Sequence, residues 1–273
     1  MSHTVTLNGL VMDDATQTPA ASGIVWCEAD VEGWWSSPNV RTSQLDASPS
    51  GVTVARGAYG GRPLVLRGIA KGLGTSTALG DDFYLAARTL LDYADLVAAP
   101  GLLTVVEPDV SLQAYVRLAD RVRGRRVGAL QWYEFEVPLL AIDPYRYAST
   151  ATSDTGLLLS GSATTVTDST TNAGTAASRP TITIDGPATN PKVLNTTDGA
   201  KYVQANLVLG AGDTLIIDLA AKTATVASVS VLDDMDPASQ WWVLRPGSNS
   251  LTYSRTAGAS NSTAQIDFRA AYV

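Results

Sequence analysis

The run from Gln131 to Leu139 alternates apolar and polar positions. Tyr133, Phe135, Val137 and Leu139 fall on one side, Trp132, Glu134 and Glu136 on the other. A period of two predicts a half-buried strand, and Asp143-Pro144 beyond it predicts a turn. Leu64–Ile69 and Leu102–Val106 are shorter apolar runs bounded by Gly or Pro, and these also predict strands. One stretch has a different period. From Asp82 to Val97, apolar residues fall at Phe83, Ala86, Ala87, Leu90, Leu91 and Ala94, the spacing of a single helix stripe. Asp81 or Asp82 is placed to cap its first amides, and Pro100-Gly101 to stop it.

The C-terminal half shows no comparable helical pattern. Short strand signals fall at 181–184, 192–194, 201–209, 214–219, 223–227, 240–244, 250–253 and 264–268, separated by Gly, Asn or Asp. A spacing of roughly 8–12 residues with turn punctuation predicts a β-sandwich. Trp241 and Trp242 are adjacent on one of these strands and must point to opposite faces. Trp242 shares its face with Leu244 and is expected in the core. Trp241 then faces outward, where a strand, a partner or a ligand has to cover it. Between the two halves the pattern fades: half of positions 149–178 are Ser or Thr, and the only charges there are Asp154 and Asp168, a composition that marks a domain junction and also fits a Thr-rich edge strand within it. The expected organisation is an N-terminal domain over 1–148, a Ser/Thr-rich junction over 149–160, and a sandwich over 161–273.

Composition removes whole classes of function. The chain has 273 residues, enough for two domains. Cys27 is the only cysteine, so no intrachain disulfide forms, and His3 is the only histidine. Cys/His zinc clusters, HExxH pairs and most nucleophile–His pairs are thereby excluded. With 45% hydrophobic and 16% charged residues the chain reads as packed and globular. It shows neither a secretory leader nor a long apolar run, and no membrane span is expected. The net charge of −7 opposes general binding to a phosphate backbone.

The remaining constellations are weak as chemistry. Asp233-Asp234-Met235-Asp236-Pro237 lacks the spacing of a calcium loop and reads as a solvated turn. The pairs Asp13-Asp14 and Asp81-Asp82 do not define the separated carboxylates of a glycosidase. Gly57–Gly61 and Gly72-Leu73-Gly74 match no phosphate loop. If extended, Arg117, Arg121, Arg123 and Arg125 share one strand face with Ala119, Arg126 following. That stripe suits a solvated face or pairing with carboxylates of a neighbouring subunit; without interleaved aromatics it suits nucleic acid poorly. Trp34, Trp35 and Trp241 fit a protein interface better than a sugar-stacking platform, since Trp is enriched at interfaces. No metal, cofactor or catalytic constellation emerges, and the expectation is a non-enzymatic binding or structural protein.

The order of elements carries a resemblance. Val52-Thr53-Val54-Ala55-Arg56-Gly57-Ala58-Tyr59-Gly60-Gly61-Arg62-Pro63-Leu64-Val65-Leu66-Arg67-Gly68, then the helix, then an arginine-bearing strand pair, then Glu134 to Tyr145 with its Asp-Pro ending, resemble the siphophage distal tail proteins. So do Asn172-Ala173-Gly174 before Pro180–Gly186, Gly212–Asp218, and above all Trp242-Val243-Leu244-Arg245-Pro246-Gly247-Ser248-Asn249-Ser250-Leu251. The resemblance implies a mainly β chain with one helix: an N-terminal split-barrel-like ring domain and a C-terminal galectin-like β-sandwich. It implies a homo-hexamer joining the tail-tube protein to tail-tip or receptor-binding proteins. DNA passes through that ring without specific binding. The chain would reside in the virion tail tip after assembly in the bacterial host cytoplasm. Candidate subunit contacts are Arg117, Arg121, Arg123, Arg125, Arg56 and Arg62. Trp241, Trp34 and Trp35 are candidate exposed contacts for a partner or, in the alternative reading, for host cell-wall glycans.

Overall fold

The computed structural model describes all residues except 1–3, 13–23, 42–43, 46–52, 55–57, 73–85, 93, 128–131 and 259. The chain forms two compact units, Met1–Ser149 with Val273, and Thr150–Tyr272. Among the described residues the architecture is mainly β with one α-helix, as expected.

The first unit contains β1 (Thr4–Leu7), β2 (Leu10–Val11), β3 (Ile24–Glu32) and two small ladders, β4 (Val40–Arg41) with β7 (Ala58–Tyr59) and β5 (Gln44–Leu45) with β6 (Thr53–Val54). Then come β8 (Arg62–Gly72), β9 (Gly101–Val106), β10 (Ser111–Leu118), β11 (Arg123–Val127), β12 (Trp132–Ala141) and β13 (Arg146–Ala148). The main sheet runs β2-β1-β9-β10-β12-β8-β3, with β11 also on β12 and β13 on β10. No pairing among the described residues joins its two ends, so this sheet is open rather than a closed barrel.

Along β12 the alternation does what the sequence predicts. Tyr133, Phe135, Val137, Leu139 and Ala141 are buried, facing the same core as Leu64, Leu66, Val116 and Leu103 on neighbouring strands. Pro138 interrupts this strand's partner. Its carbonyl accepts from the Ala119 N–H at 2.9 Å, so its own nitrogen faces the same side with no proton to donate. There the neighbouring chain bulges. Leu118 pairs with Leu139 and Arg123 with Glu136, so β10 and β11 are one strand broken by Ala119–Val122. The arginine stripe is therefore not the single continuous strand expected from sequence. The two extra bulged residues preserve parity, however, and Arg117, Arg123 and Arg125 still share the face opposite the core.

The helix ends earlier than its periodicity suggests. Residues 86–92 are helical, while 82–85, with the expected cap, lie outside the described residues. Ala86, Leu90 and Ala94 are buried, but Leu91 and Val97 are exposed. The chain leaves the helix before Val97, and buried Leu96 comes to lie against Gly101, where any side chain would collide with it.

The second unit is a sandwich of two antiparallel sheets. The first has the order β14 (Thr152–Leu159), β25 (Ser262–Phe268), β16 (Thr181–Asp185), β21 (Thr214–Asp218), β22 (Thr223–Val226), β23 (Val229–Ser230). The second runs β15 (Thr165–Asn172), β24 (Gly247–Ser254), β18 (Lys192–Asn195), β19 (Lys201–Gln204), and β17 (Ala188–Thr189) pairs separately with β20 (Val208–Leu209). Leu157, Ile182, Ile184, Val193, Val203, Leu215, Ile217, Trp242, Tyr253 and Ile266 fill the space between the sheets.

Three sequence expectations change here. The stretch 149–160, read as a junction, holds β14, a strand belonging to the sandwich. The signal over 201–209 splits into β19 and β20. Residues 240–244 form no ladder, only a bridge from Leu244 to Ser178, because the segment is held by side chains rather than by a neighbouring strand. At the flank, β14 and β15 are edge strands of opposite sheets. They approach each other closely: a Cβ at Gly156 would overlap the Asp168 carboxylate.

Candidate functional site

The face of the first unit's sheet turned away from its core carries a cross-strand array of charges. Register sets it up: Glu136 on β12 lies between Arg67 on β8 and Arg123 on β11. Arg67 Nε donates to Glu136 Oε2 at 3.2 Å, and Arg123 Nη1 donates to Glu136 Oε1 at 2.9 Å. Arg67 Nη1 also donates to Glu32 Oε2 on β3 at 2.5 Å. Arg123 Nη2 reaches Asp120 in the bulge at 3.0 Å, and Arg125 Nε donates to Glu134 at 2.9 Å. The result is a line of alternating charge, Glu32–Arg67–Glu136–Arg123–Asp120, crossing four strands.

Electrostatics follow from these contacts. The hydrogen bond to Glu136, then the charge of Glu32, raise the Arg67 pKa. The Arg121 backbone N–H, then the charge of Arg123, hold the Asp120 carboxyl below its usual range. Arg67, Arg123 and Arg125 remain 55%, 51% and 74% exposed, so water screens these pairs and they add little to folding. Such an array serves better as a surface pattern than as internal glue. Beside it the same face turns apolar: Tyr115, Leu140 and Ile142 are exposed, with Arg117 opposite Leu140.

The sequence candidates fall in different places. Arg123 and Arg125 belong to the array; Arg117 and Arg121 are exposed and form no ion pair with a described residue. Arg56 lies outside the described residues. Arg62 is not a surface contact: it is 2% exposed. As the first residue of β8 it turns inward and donates to the carbonyls of Trp34 and Ser36, both at 2.7 Å, and of Pro144 at 3.2 Å. Burial, then neighbouring Arg146, lower its pKa to about 10. It ties the segment after β3 to the Asp-Pro turn. Trp34, expected to be exposed, is fully buried, with its Nε1 donating to Glu107 Oε1 at 3.1 Å and Arg146 over its ring. Trp35 beside it is 53% exposed. Trp241 does not stand out from the sandwich either; it is half-buried and packs against the core.

Sequence reasoning missed Glu32, Glu134 and Glu136 as site residues, because only strand register brings them to the arginines; Arg67 ends the stretch 57–67 that the sequence does single out for assembly. It also missed the polar hub of the second unit. Asp198, 2% exposed, accepts from Lys201 Nζ at 2.9 Å, from Arg245 Nε and Nη2 at 3.0 and 2.8 Å, and from the Val243 N–H at 3.2 Å. Burial alone would raise its pKa; the hydrogen bonds from Lys201, Arg245 and Val243 outweigh this and hold it below the usual carboxylate value. Asn195 donates to the Val243 carbonyl, and Asn249 accepts from the Arg245 N–H and returns a bond to its carbonyl. The Trp242–Asn249 stretch is thus a side-chain-fastened loop whose turn uses Gly247 at φ +89. Among the described residues no three metal-ligating side chains come together, and no helix is long and apolar enough to cross a membrane.

Comparison with known proteins adds two findings. Residues 173–272 match the family model of the siphovirus-type tail component, C-terminal domain. The whole chain is similar in fold to the SPP1 Dit protein, described as a paradigm of the hub adsorption apparatus in phages infecting Gram-positive bacteria. The TM-score is 0.67 at 15% identity, covering 99% of each chain. Chains of the phage P2 baseplate in its activated conformation, with Ca and with Sr, are more distant. Both have a TM-score of 0.48, at 11% and 13% identity, and cover 98% and 97% of this chain and of their own. No curated protein matches the sequence. The resemblance to siphophage distal tail proteins therefore holds, by a domain model for the sandwich and by fold across both units.

Proposed function

We propose that this chain is the structural hub of a phage tail tip. Six copies form a ring that joins the tail tube to tail-tip and receptor-binding proteins and leaves a channel for DNA. The observation that carries the reading is the agreement in fold with a tail hub protein over 99% of the chain, together with the tail-component domain in the sandwich. The outer face of the first unit's sheet supports it, since grouped apolar residues and arginines at 51–74% exposure suit contact with further protein chains. The role is adaptor rather than catalyst, and six copies at −7 each would repel DNA wherever their acids line the channel. Native mass measurement of the purified chain is expected to give a six-copy species and ring-shaped particles by negative stain. A chain that stays monomeric even with its tail-tube partner would sink the reading.

A further inference from the structure

The first unit's sheet ends in two strands of opposite charge. Alongside β12, the lower half of the sheet runs β11-β12-β8-β3, and no described strand lies beyond β11 or beyond β3. Within the array three arginines meet four carboxylates, so it carries one negative charge in excess. Outside those pairs the two sides differ: Arg126 on β11, turned to the opposite face, and Arg121 at the adjoining bulge are exposed and make no ion pair with a described residue, while Asp30 on β3, across from Arg67 on the array's face, is exposed and likewise makes none. Glu32, 61% exposed, stands beside Asp30 on the same face.

Charges placed merely to guard an edge from pairing need only make each edge repel its like. Opposite signs on the two ends of one sheet do something else: they make one end of a copy complementary to the other end of the next. We propose that copies of this chain join head to tail, the arginine-bearing edge at β11 meeting the carboxylate-bearing edge at β3 of a second copy. This rests on the ring reading above and names the surface that builds it. A contact between two different patches on identical copies repeats with a constant rotation and closes into a ring when that rotation permits. Complementary charge fixes which ends meet and suppresses end-matched pairing, in which like charges oppose.

Two variants test it. Arg121→Glu with Arg126→Glu makes both ends acidic; Asp30→Lys with Glu32→Lys makes both ends basic. Each is first checked for a native-like unfolding transition. Measured separately by light scattering and native mass spectrometry, each is expected to lose at least roughly tenfold of its assembled population, since buried like-charge contacts oppose association strongly. Mixed one to one, they are expected to recover the assembly with the two masses in equal numbers, because an acidic end again meets a basic one. Misfolded chains would not recover on mixing. If both variants assemble alone as the native chain does, or if folded variants fail to recover when mixed, the edge assignment is wrong while the ring stands. A native chain that forms no ring removes the reading beneath it instead.

Discussion

The two units use charge in opposite ways. In the second, one carboxylate, Asp198, is sunk beneath the surface and draws Arg245, Lys201 and a backbone N–H onto itself. In the first, three arginines and four carboxylates lie along an open sheet face with water around them. Each unit also buries an arginine that meets carbonyls rather than carboxylates, Arg62 in the first and Arg255 in the second. Low dielectric makes the buried groups expensive to leave unmatched, so they define the fold. The exposed groups cost little to change and are free to specify a partner.

Substitutions can push on that division. The largest loss is expected from Arg62→Met, which takes the donor away from three carbonyls; at ~1–3 kcal/mol for a buried unsatisfied group, and less for the part-buried Ser36 and Pro144 carbonyls, the total is roughly 3–4 kcal/mol. Arg62→Lys should recover little of it, because a point charge cannot span three acceptors. Urea unfolding of the full chain measures both. Asp198→Ala follows at roughly 2–3 kcal/mol, below the ~3–5 for a fully buried pair, because Arg245 and Lys201 regain water. Unfolding of the second unit reports it.

The same carboxylate predicts a pH dependence. Its pKa is depressed on folding, so its contribution is present above the unfolded value of 3.8 and is lost as pH falls through the lower folded value. Between about pH 5 and pH 2 the native second unit should lose more stability than Asp198→Asn does. An equal slope in both would assign the acid sensitivity elsewhere. Next is Gly124→Ala, whose new methyl overlaps the Tyr133 ring and should cost ~1–3 kcal/mol by forcing the ring aside. Smallest in stability is Glu136→Gln, which breaks the middle of the charge array; the unfolding midpoint should stay unchanged while the assembled fraction falls. A marked loss of stability with assembly intact would erase the contrast between the units.

Much of this was legible where burial imposes a period. The β12 alternation, the helix stripe through Ala86, Leu90 and Ala94, and most sandwich strands follow from apolar spacing. β14 and β15 were harder to see, since an edge strand built from Thr and Ser has no apolar period to show. Along β15 the inward positions include Thr170 and Asn172, which are buried but polar. An outward Trp241 follows only if 240–244 is a strand, and that segment makes a single bridge instead. Arg62 had no signal at all: nothing in an Arg-Pro step says that the side chain turns toward three carbonyls. The array in turn required register, which depends on pairing partners some 70 residues apart, as with Arg67 and Glu136.

The meeting of Gly156 and Asp168 has a colloidal consequence. β14 and β15 are long and nearly uncharged, the type of edge that invites a stray strand from a neighbouring molecule. Asp168 sits on β15 with its carboxylate directed into the flank between them, so a strand docking there would have to strip water from a carboxylate with no cation to receive it. With Asp154 on β14 beside the same Gly156, two acids stand on an otherwise uncharged flank, an arrangement that disfavours edge-to-edge pairing between copies.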